Sequence, residues 1–308
     1  MDVAGERWFH RRGDLARDDW ESVVDASTPG WAHTGLRVAD VQAGRALRLT
    51  DPGVERIVVP LAGSFTVEHT DRETTTATRL EGRPSVFAGP TDVLYLATGS
   101  TAVIHGEGRV AVASSPTTTR HPNRYLAAAE TPVELRGAGA SSRQVHNFGT
   151  PGVLDAERLI VCEVITPAGN WSSYPPHKHD EHMPGQESRL EEIYYFEVAP
   201  TAGSPDSGAD VSAGAFGLFS AYASPAGEID IDASVRTGDI ALVPYGYHGP
   251  AAAAPGYDLY YLNVMAGPDP ARAWHITDDP AHAWLRTTWG AQEVDPRLPY
   301  GDLQEGRH

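Results

Sequence analysis

The apolar residues of this chain occur in short runs, and turn-forming residues separate nearly all of them. Val, Ile, Leu and Tyr dominate these runs, while 31 Gly and 24 Pro are scattered over the 308 residues. Short apolar segments at this spacing are typical of the strands of β-sandwiches and barrels. The pattern therefore predicts an all-β fold.

The predicted strands fall into two series. Those of the first half are LRVADVQA, ALRLT, RIVVPLAGSFTVEH, SVFAG, DVLYLATG, TAVIHGE and RVAVASSP. Those of the second half are RLIVCEVITPAG, LEEIYYFEVAP, AFGLFSAYAS, EIDIDASV, DIALVPYGYHG and YDLYYLNVMAG. The segment TTTRHPNRYLAAAETPVELRG, with Pro122 and Pro132, interrupts the strands. We therefore expect two similar β-barrels, residues 1–130 and 131–308.

The net charge and the composition limit the classes of molecule that the protein is expected to bind. A formal net charge of -17 disfavours nucleic acid and anionic membrane, because both require concentrated Lys and Arg. No stretch has the roughly 18 consecutive apolar residues of a membrane span, and the first residues lack the apolar core of an export signal. A cytoplasmic location is expected. The single cysteine, Cys162, lies in an apolar run and is expected to be a buried, inert thiol.

The strongest chemical pattern is a pair of histidines in the segment PPHKHDEHMPGQESRLEEIYYF. His177 and His179 are one residue apart. Alternate side chains of an extended segment point the same way, so both imidazoles can bind one ion. Lys178, between them, should point away from it.

A carboxylate ligand is expected from the aromatic strand that follows. Glu191 and Glu192 point to opposite faces of that strand. We favour Glu192, because Tyr194 and Phe196 then share its inward face, although the sequence leaves Glu191 open. His182 could replace one ligand, but an exposed loop position is the better interpretation.

A third imidazole is expected from TGDIALVPYGYHGP. In this segment Gly238, Pro244 and Gly246 form a turn that returns His248 to the mouth of a barrel. Three neutral imidazoles and one carboxylate suit Zn, Mn, Fe, Co or Ni and leave a coordination position open. We therefore predict one divalent metal ion, with Zn, Mn or Fe favoured, in a site for catalysis or ligand capture.

These residues resemble the motifs of the cupin superfamily. The segments WSSYPPHKHD, ESRLEEIYYF, VPYGYHGPAAAAPGYDLYYLNVMAGP and DDPAHAW are more closely similar to the 5-deoxy-glucuronate isomerases of myo-inositol catabolism. That family is related to the 4-deoxy-L-threo-5-hexosulose-uronate ketol-isomerases of pectin breakdown.

The resemblance implies a bicupin of two double-stranded β-helix (jelly-roll) barrels, with the metal in the C-terminal one. The implied ligands are His177, His179, Glu192 and His248. Phe219 stands where a polar residue is expected, and the insertion SPDSGADVSAG lengthens a neighbouring loop. Both departures concern substrate contacts.

The implied reaction converts the aldose 5-deoxy-D-glucuronate into the ketose 5-dehydro-2-deoxy-D-gluconate. A metal ion can acidify the carbon that loses its proton, and a base moves that proton through an enediol. The candidate bases are Glu187, Glu191 and Tyr261. For the substrate, Arg143 is the preferred partner of the carboxylate and Tyr245 is a second contact.

Two alternatives to a metal-dependent aldose–ketose isomerase stay open. A cupin Fe(II) dioxygenase would consume O2, and a sugar-acid-binding cupin would bind without turnover. The predicted partner is a small sugar acid, and a second copy of the chain in a homo-oligomer is also considered.

Overall fold

The structure, a computed structural model, describes residues 7–203 and 211–301, and most of its regular elements are β-strands. The strands are Phe9–His10 (β1), Ser22–Val24 (β2), Gly35–Val41 (β3), Ala46–Leu49 (β4), Val54–Asp71 (β5), Thr74–Arg83 (β6), Val93–Leu96 (β7), Thr101–Pro116 (β8), Arg124–Leu126 (β9), Val133–Arg136 (β10), Arg143–Gly149 (β11), Ile160–Thr166 (β12), Trp171–Ser172 (β13), His177–Lys178 (β14), Glu191–Pro200 (β15), Gly217–Ser224 (β16), Gly227–Val235 (β17), Ile240–Val243 (β18), Tyr247–Ala253 (β19), Tyr257–Ala266 (β20) and Thr277–Asp278 (β21).

Helical structure in the described residues is limited to short segments. One α-helical turn spans Val211–Gly214. The 3-10 helices are Val86–Ala88, Ala128–Glu130, Gly139–Ser141 and Ala283–Ala291. No helix in residues 7–203 and 211–301 is long and apolar enough to cross a membrane.

Strands β2 to β9 form one sheet that curls into the first barrel. The order is β2-β3-β8-β5-β7-β9, with β4 on β8 and β6 on β5. The long strands β5 and β8 pair antiparallel from Val54 opposite Pro116 to Thr70 opposite Thr101. The register shifts between Pro60 and Ala62, and such a bulge bends a strand.

The second barrel consists of two facing sheets. One has the order β1-β18-β15-β20-β12-β11-β10, and the other has β17-β16-β19-β14-β21 with β13 on β19. Tyr194 of the first sheet packs against Phe219 of the second, with ring centroids 4.8 Å apart. Strand β1, near the start of the chain, pairs with β18 of this barrel.

Alternating residues of the first sheet serve two cores. Val58, Phe65 and Val112 belong to a cluster formed wholly within the first barrel. Their neighbours Ile57 and Val59 belong to a larger cluster that continues through the second barrel. One face of the sheet therefore fills its own barrel, and the other face packs against the second barrel.

The predicted all-β fold is confirmed, although some predicted strands differ. SVFAG was expected to be a strand, but Val86–Ala88 is a 3-10 helix with Ser85 as its N-cap. DIALVPYGYHG is split, because β18 ends at Val243 and β19 begins at Tyr247. The boundary at residues 130 and 131 falls between β9 and β10 and stays a prediction.

Candidate metal centre

Three histidines and one glutamate lie near one another between the two sheets of the second barrel, and ligand atoms of His179, His248 and Glu192 lie within 4.8 Å of one another. Strand β14 carries His177, which lies directly opposite His248 of β19. The ring centroid of His248 is 4.6 Å from that of His177 and 4.7 Å from that of His179, whereas His177 and His179 are 6.4 Å apart. All three imidazoles are buried. His248 is thus the central ring of the group.

The local backbone fixes which nitrogen of each ring faces the centre. In every case Nδ1 lies within hydrogen-bonding distance of a backbone carbonyl oxygen, which can only accept. These pairs are His177 with Pro175 (3.2 Å), His179 with Leu190 (3.1 Å) and His248 with Gly246 (3.1 Å). The Nδ1 atoms therefore carry the protons, and each neutral ring presents the lone pair of Nε2.

Glu192 directs its carboxylate at two of these lone pairs. Its Oε2 is 2.8 Å from Nε2 of His179 and 3.1 Å from Nε2 of His248. The buried Nε2 of His248 has no hydrogen-bond partner of acceptable direction among the described residues. Two lone pairs facing a carboxylate at these distances are unfavourable unless a cation lies between them or the rings gain a second proton. The donor set thus fits a metal ion, whose adjacent ligand atoms lie about 3 Å apart.

Burial and mutual interaction change the pKa values of the group. Burial and the neighbouring imidazoles lower the pKa of His177 well below its ordinary value, which favours the neutral ring needed for ligation. Burial alone would also lower the pKa of His179, but the Glu192 carboxylate outweighs this effect and raises the pKa. For Glu192 itself, burial is outweighed by the interactions of its carboxylate with His179 and His248, and its pKa is strongly lowered.

Gly246 holds the turn that presents His248. Its φ is +99°, a value that favours glycine, and a Cβ there would lie 2.4 Å from Cγ2 of Ile229 and 2.7 Å from the carbonyl oxygen of Tyr222. Its N–H donates to Oδ2 of Asp180 at 2.9 Å. The Pro-x-Gly-x-His pattern thus places the third imidazole as the sequence predicts.

A cavity of about 260 Å³ opens beside His177 and Glu192. Its other polar lining consists of Arg136, Arg143, Ser173, Tyr194, Tyr261, Asn263, Trp274 and Arg286. Ser173 has φ +46°, an uncommon value for a residue other than glycine, and its Oγ is 3.0 Å from the hydroxyl of Tyr194. The cavity therefore combines the metal-binding group with several hydrogen-bond donors and three guanidinium groups.

Comparison with known proteins identifies the family of the chain. The model of the KduI/IolB family matches residues 8–285. The chain belongs to the KduI/IolB family. A relative named 5-deoxy-glucuronate isomerase, from Geobacillus thermodenitrificans, is 38% identical over 85% of this chain and 89% of its own length. Another of that name, from Bacillus subtilis, is 35% identical over 85% of this chain and 91% of its own length.

Solved structures agree with the family and the fold. An IolB-like protein from Salmonella typhimurium is 33% identical, with a TM-score of 0.78 over 90% of this chain and 98% of its own. An oxalate decarboxylase from Lactobacillus farciminis is 11% identical, with a TM-score of 0.58 over 88% of both chains. The second likeness concerns the fold alone. The predicted family resemblance and all-β cupin fold are confirmed.

Glu187 and Glu191 are not placed to act as bases, contrary to expectation. Glu187 accepts hydrogen bonds from Nζ of Lys178 at 2.8 Å and from the N–H groups of residues 180 and 181. Glu191 accepts from the N–H groups of residues 32–34 in the first barrel. Neither lines the cavity. Lys178 points away from the imidazoles, as expected, and neutralises a group of carboxylates.

The remaining predicted residues divide between cavity and packing positions. Tyr261 and Arg143 line the cavity in this member of the KduI/IolB family. Tyr245 does not, because its ring covers Gly227, where an added Cβ would lie 2.5 Å from it. The expectation that Tyr245 contacts substrate is therefore not supported. His182 lies on the surface beside Asp269, 2.9 Å away.

Sequence reasoning missed Asn263, Trp274, Arg136 and Arg286. Asn263 is the one amide side chain in the run LYYLNVMA, and its position two residues from Tyr261 on β20 puts both on one face. That isolated polar residue was a usable signal. Trp274 and Arg286 lie outside the long strands, where no periodic pattern indicates which way a side chain points.

Proposed function

We propose that this protein is a metal-dependent aldose–ketose isomerase that acts on 5-deoxy-glucuronate in myo-inositol catabolism. Relatives at 34–38% identity carry the name 5-deoxy-glucuronate isomerase, which supports the substrate and the reaction. The observation that carries the metal requirement is the meeting of imidazole lone pairs with the Glu192 carboxylate. A cytoplasmic location and a homo-oligomer stay predictions.

The proposed ligands are His177, His179, Glu192 and His248, with Zn, Mn or Fe as the ion. When bound, the ion would supply Lewis-acid polarisation of the substrate carbonyl. The backbone carbonyls that hold the Nδ1 protons keep the rings in the tautomer that ligation needs.

Arg143 is the proposed partner of the substrate carboxylate. Its side chain is buried, and its Nη1 donates to the carbonyl oxygen of Ser141 at 3.0 Å, with no carboxylate partner among the described residues. By contrast, Arg136 is 2.7 Å from Glu134 and Arg286 is 2.6 Å from Asp278. Arg143 is therefore the guanidinium left to form a two-pronged pair with a ligand.

Two further donors in the cavity suit the hydroxyl groups of a sugar acid. Nδ2 of Asn263 and Nε1 of Trp274 are buried and have no hydrogen-bond partner among the described residues. Leaving a buried donor unpaired costs about 1–3 kcal/mol, which a substrate oxygen would recover. We assign both to substrate orientation.

Tyr261 is the remaining predicted proton-transfer residue. Its hydroxyl is 3.4 Å from Oγ of Ser173, which also contacts the hydroxyl of Tyr194. Burial raises the pKa of Tyr261, so the phenol keeps its proton at neutral pH. Its proposed role is to donate a hydrogen bond to a substrate oxygen and not to act as the base.

Elemental analysis of the purified protein, together with an anaerobic NMR assay on 5-deoxy-glucuronate, tests the proposal. About one divalent ion per chain and formation of the ketose without O2 are expected. Turnover that needs O2 would favour a dioxygenase, and binding without turnover would favour a sugar-acid-binding protein. Full turnover by metal-stripped protein would reject the metal requirement.

A further inference from the structure

A second cavity, of about 370 Å³, lies at one end of the first barrel. Two arginines, Arg37 on β3 and Arg56 on β5, line it together with Thr34 and Leu49. Arg56 shares the strand face of Val58, which belongs to the apolar interior of this barrel. The cavity is therefore the polar end of an otherwise apolar barrel interior.

Arg56 is a buried cation that has no carboxylate partner among the residues that the structure describes. It is 2% exposed, and its guanidinium donates to the backbone carbonyl oxygens of Asp51 and Ser100. Burial, together with the charge of Arg37, outweighs the opposing effect of the Asp51 carboxylate and lowers the pKa of Arg56 to about 10. Arg56 is still a cation at neutral pH, in surroundings that do not neutralise it.

Two other buried arginines do have carboxylate partners. Arg83 pairs with Glu163 at 2.7 Å, and Arg109 pairs with Asp40 at 2.9 Å. Among the buried arginines of the described residues, Arg56 and Arg143 lack a carboxylate partner, and each lines a cavity. A buried guanidinium without a counter-charge is costly, which favours an anion from solution.

Arg37 adds a second free cation to the same cavity. It is half-buried, its Cζ lies 5.8 Å from the ring centroid of Trp20, and its side chain forms no ion pair or hydrogen bond within the described residues. Oγ1 of Thr34, also at the cavity, is buried and has no partner there either. Two cations and a hydroxyl are thus available to one ligand.

The acidic residues at the rim are engaged elsewhere. Asp25 accepts hydrogen bonds from the side chains of Arg17 and Ser27. Oδ1 of Asp51 accepts from the N–H of Gly53 at 2.8 Å. Neither carboxylate forms an ion pair with Arg37 or Arg56, although the charge of Asp51 acts on Arg56.

The strand pairing puts Arg56 at the position in the first barrel that Glu192 occupies in the second. Glu192 lies opposite Val243, the last residue of β18, and its strand also pairs with β20. Arg56 lies opposite Leu96, the last residue of β7, and its strand also pairs with β8. The first barrel thus has a guanidinium where the second has the carboxylate of its metal-binding group.

We propose that this cavity binds a small organic carboxylate, up to the size of a six-carbon sugar acid. The carboxylate lies between Arg37 and Arg56, since a guanidinium matches the two oxygens of a carboxylate, and a hydroxyl group of the ligand meets Thr34. This site is separate from the cavity beside the metal-binding group and does not depend on the isomerase activity.

Calorimetric titration of the full-length protein with D-glucuronate tests the site. The wild type is expected to bind at two sites per chain. Arg37→Gln and Arg56→Gln should each weaken one site at least tenfold, which is about 1.4 kcal/mol, while Arg143→Gln should keep that site. Arg48→Gln, an exposed arginine on β4, is the matched control and should leave both sites unchanged.

Three results would overturn the proposal. The first is that the wild type and Arg37→Gln give superimposable isotherms. The second is that Arg48→Gln weakens D-glucuronate binding as much as Arg37→Gln does. The third is that the cavity binds inorganic phosphate or D-glucose in place of D-glucuronate. Circular dichroism checks that each variant is folded, and Arg37→Gln, at a half-buried position, keeps the test valid if Arg56→Gln unfolds. Because the measurement is binding, its failure leaves the isomerase assignment untouched.

Discussion

The interiors of the two barrels differ in chemistry. In the first barrel, Leu47 and Leu49 of β4 fill the interior and join its apolar cluster. In the second, strand β14, which pairs with β19, carries His177, and His179 follows directly after it. One interior is held by apolar packing, whereas the other keeps buried polar atoms for a ligand. Two β-barrels within one chain can therefore separate stability from chemistry.

The largest expected effect comes from His248, the central ring of the metal-binding group. His248→Ala should remove the bound ion and lower kcat/KM by more than about 100-fold, because even the outer partners of metal ligands are worth 10–100-fold. Elemental analysis and the NMR assay measure both. His105→Ala, an accessible histidine in the first barrel, is the control. Wild-type metal content in His248→Ala would contradict the assignment.

In the first barrel, a core substitution should lower stability but leave the metal bound. Phe65 is fully buried in its apolar cluster, so Phe65→Ala should lower the free energy of unfolding by about 3–5 kcal/mol. Metal content and kcat of the folded fraction should stay near wild type. Chemical denaturation measures the change, with Thr66→Ala on the other face of β5 as control. Loss of metal from folded Phe65→Ala would show that the two interiors are not independent.

The contact between the barrels predicts a dependence of stability on pH. Glu163 of β12 is buried, which raises its pKa, but the charge of Arg83 from β6 and the hydrogen bonds from His146 and Arg83 hold it at about 2, below the ordinary 4.5. The contribution of the ionised Glu163 to the free energy of unfolding is thus present above pH 4.5 and is lost as pH falls toward 2. It amounts to at most about 3 kcal/mol.

Unfolding free energies of the wild type and Glu163→Gln, measured between pH 6 and pH 2, test this dependence. The difference between the two proteins should shrink as pH falls through the stated interval. Glu107→Gln, at an exposed position of β8, is the control. A difference that stays constant down to pH 2 would show that Arg83 does not hold Glu163 ionised.

The smallest expected effect concerns substrate binding. Arg143→Gln should raise KM by about 10–100-fold and keep the metal, because hydrogen bonds to charged groups contribute about 1.5–3 kcal/mol. Steady-state kinetics measure it, with Arg48→Gln as control. An unchanged KM would leave the substrate carboxylate without its proposed partner. A KM raised equally by both variants would indicate a general effect of charge.

The sequence predicted the strands that alternate or are wholly apolar. It missed β6, whose TTTATRLEGR is largely polar because most of its side chains are exposed. It placed a strand at SVFAG, where the Ser85 side chain caps a 3-10 helix instead. A local side-chain hydrogen bond outweighed the apolar pattern at that position.

For the site, short-range patterns were informative and long-range contacts were not. The His-x-His pair and the Pro-x-Gly-x-His turn bring His177 and His248 opposite each other, because each pattern fixes its own backbone. The fate of Glu191 could not be predicted, since its partners lie about 160 residues earlier in the chain. Sequence spacing carries no information on such a contact.

The position of Glu191 beside Glu192 has a mechanical consequence. Adjacent residues of a strand face opposite sides, so Glu192 points into the metal-binding group while Glu191 accepts the N–H of Thr34, which lines the cavity of the first barrel. One peptide unit and one hydrogen bond thus separate the two cavities. The strand end that aims the Glu192 carboxylate is thus tied by hydrogen bonds to residues 32–34, so the two barrels are held together close to both cavities.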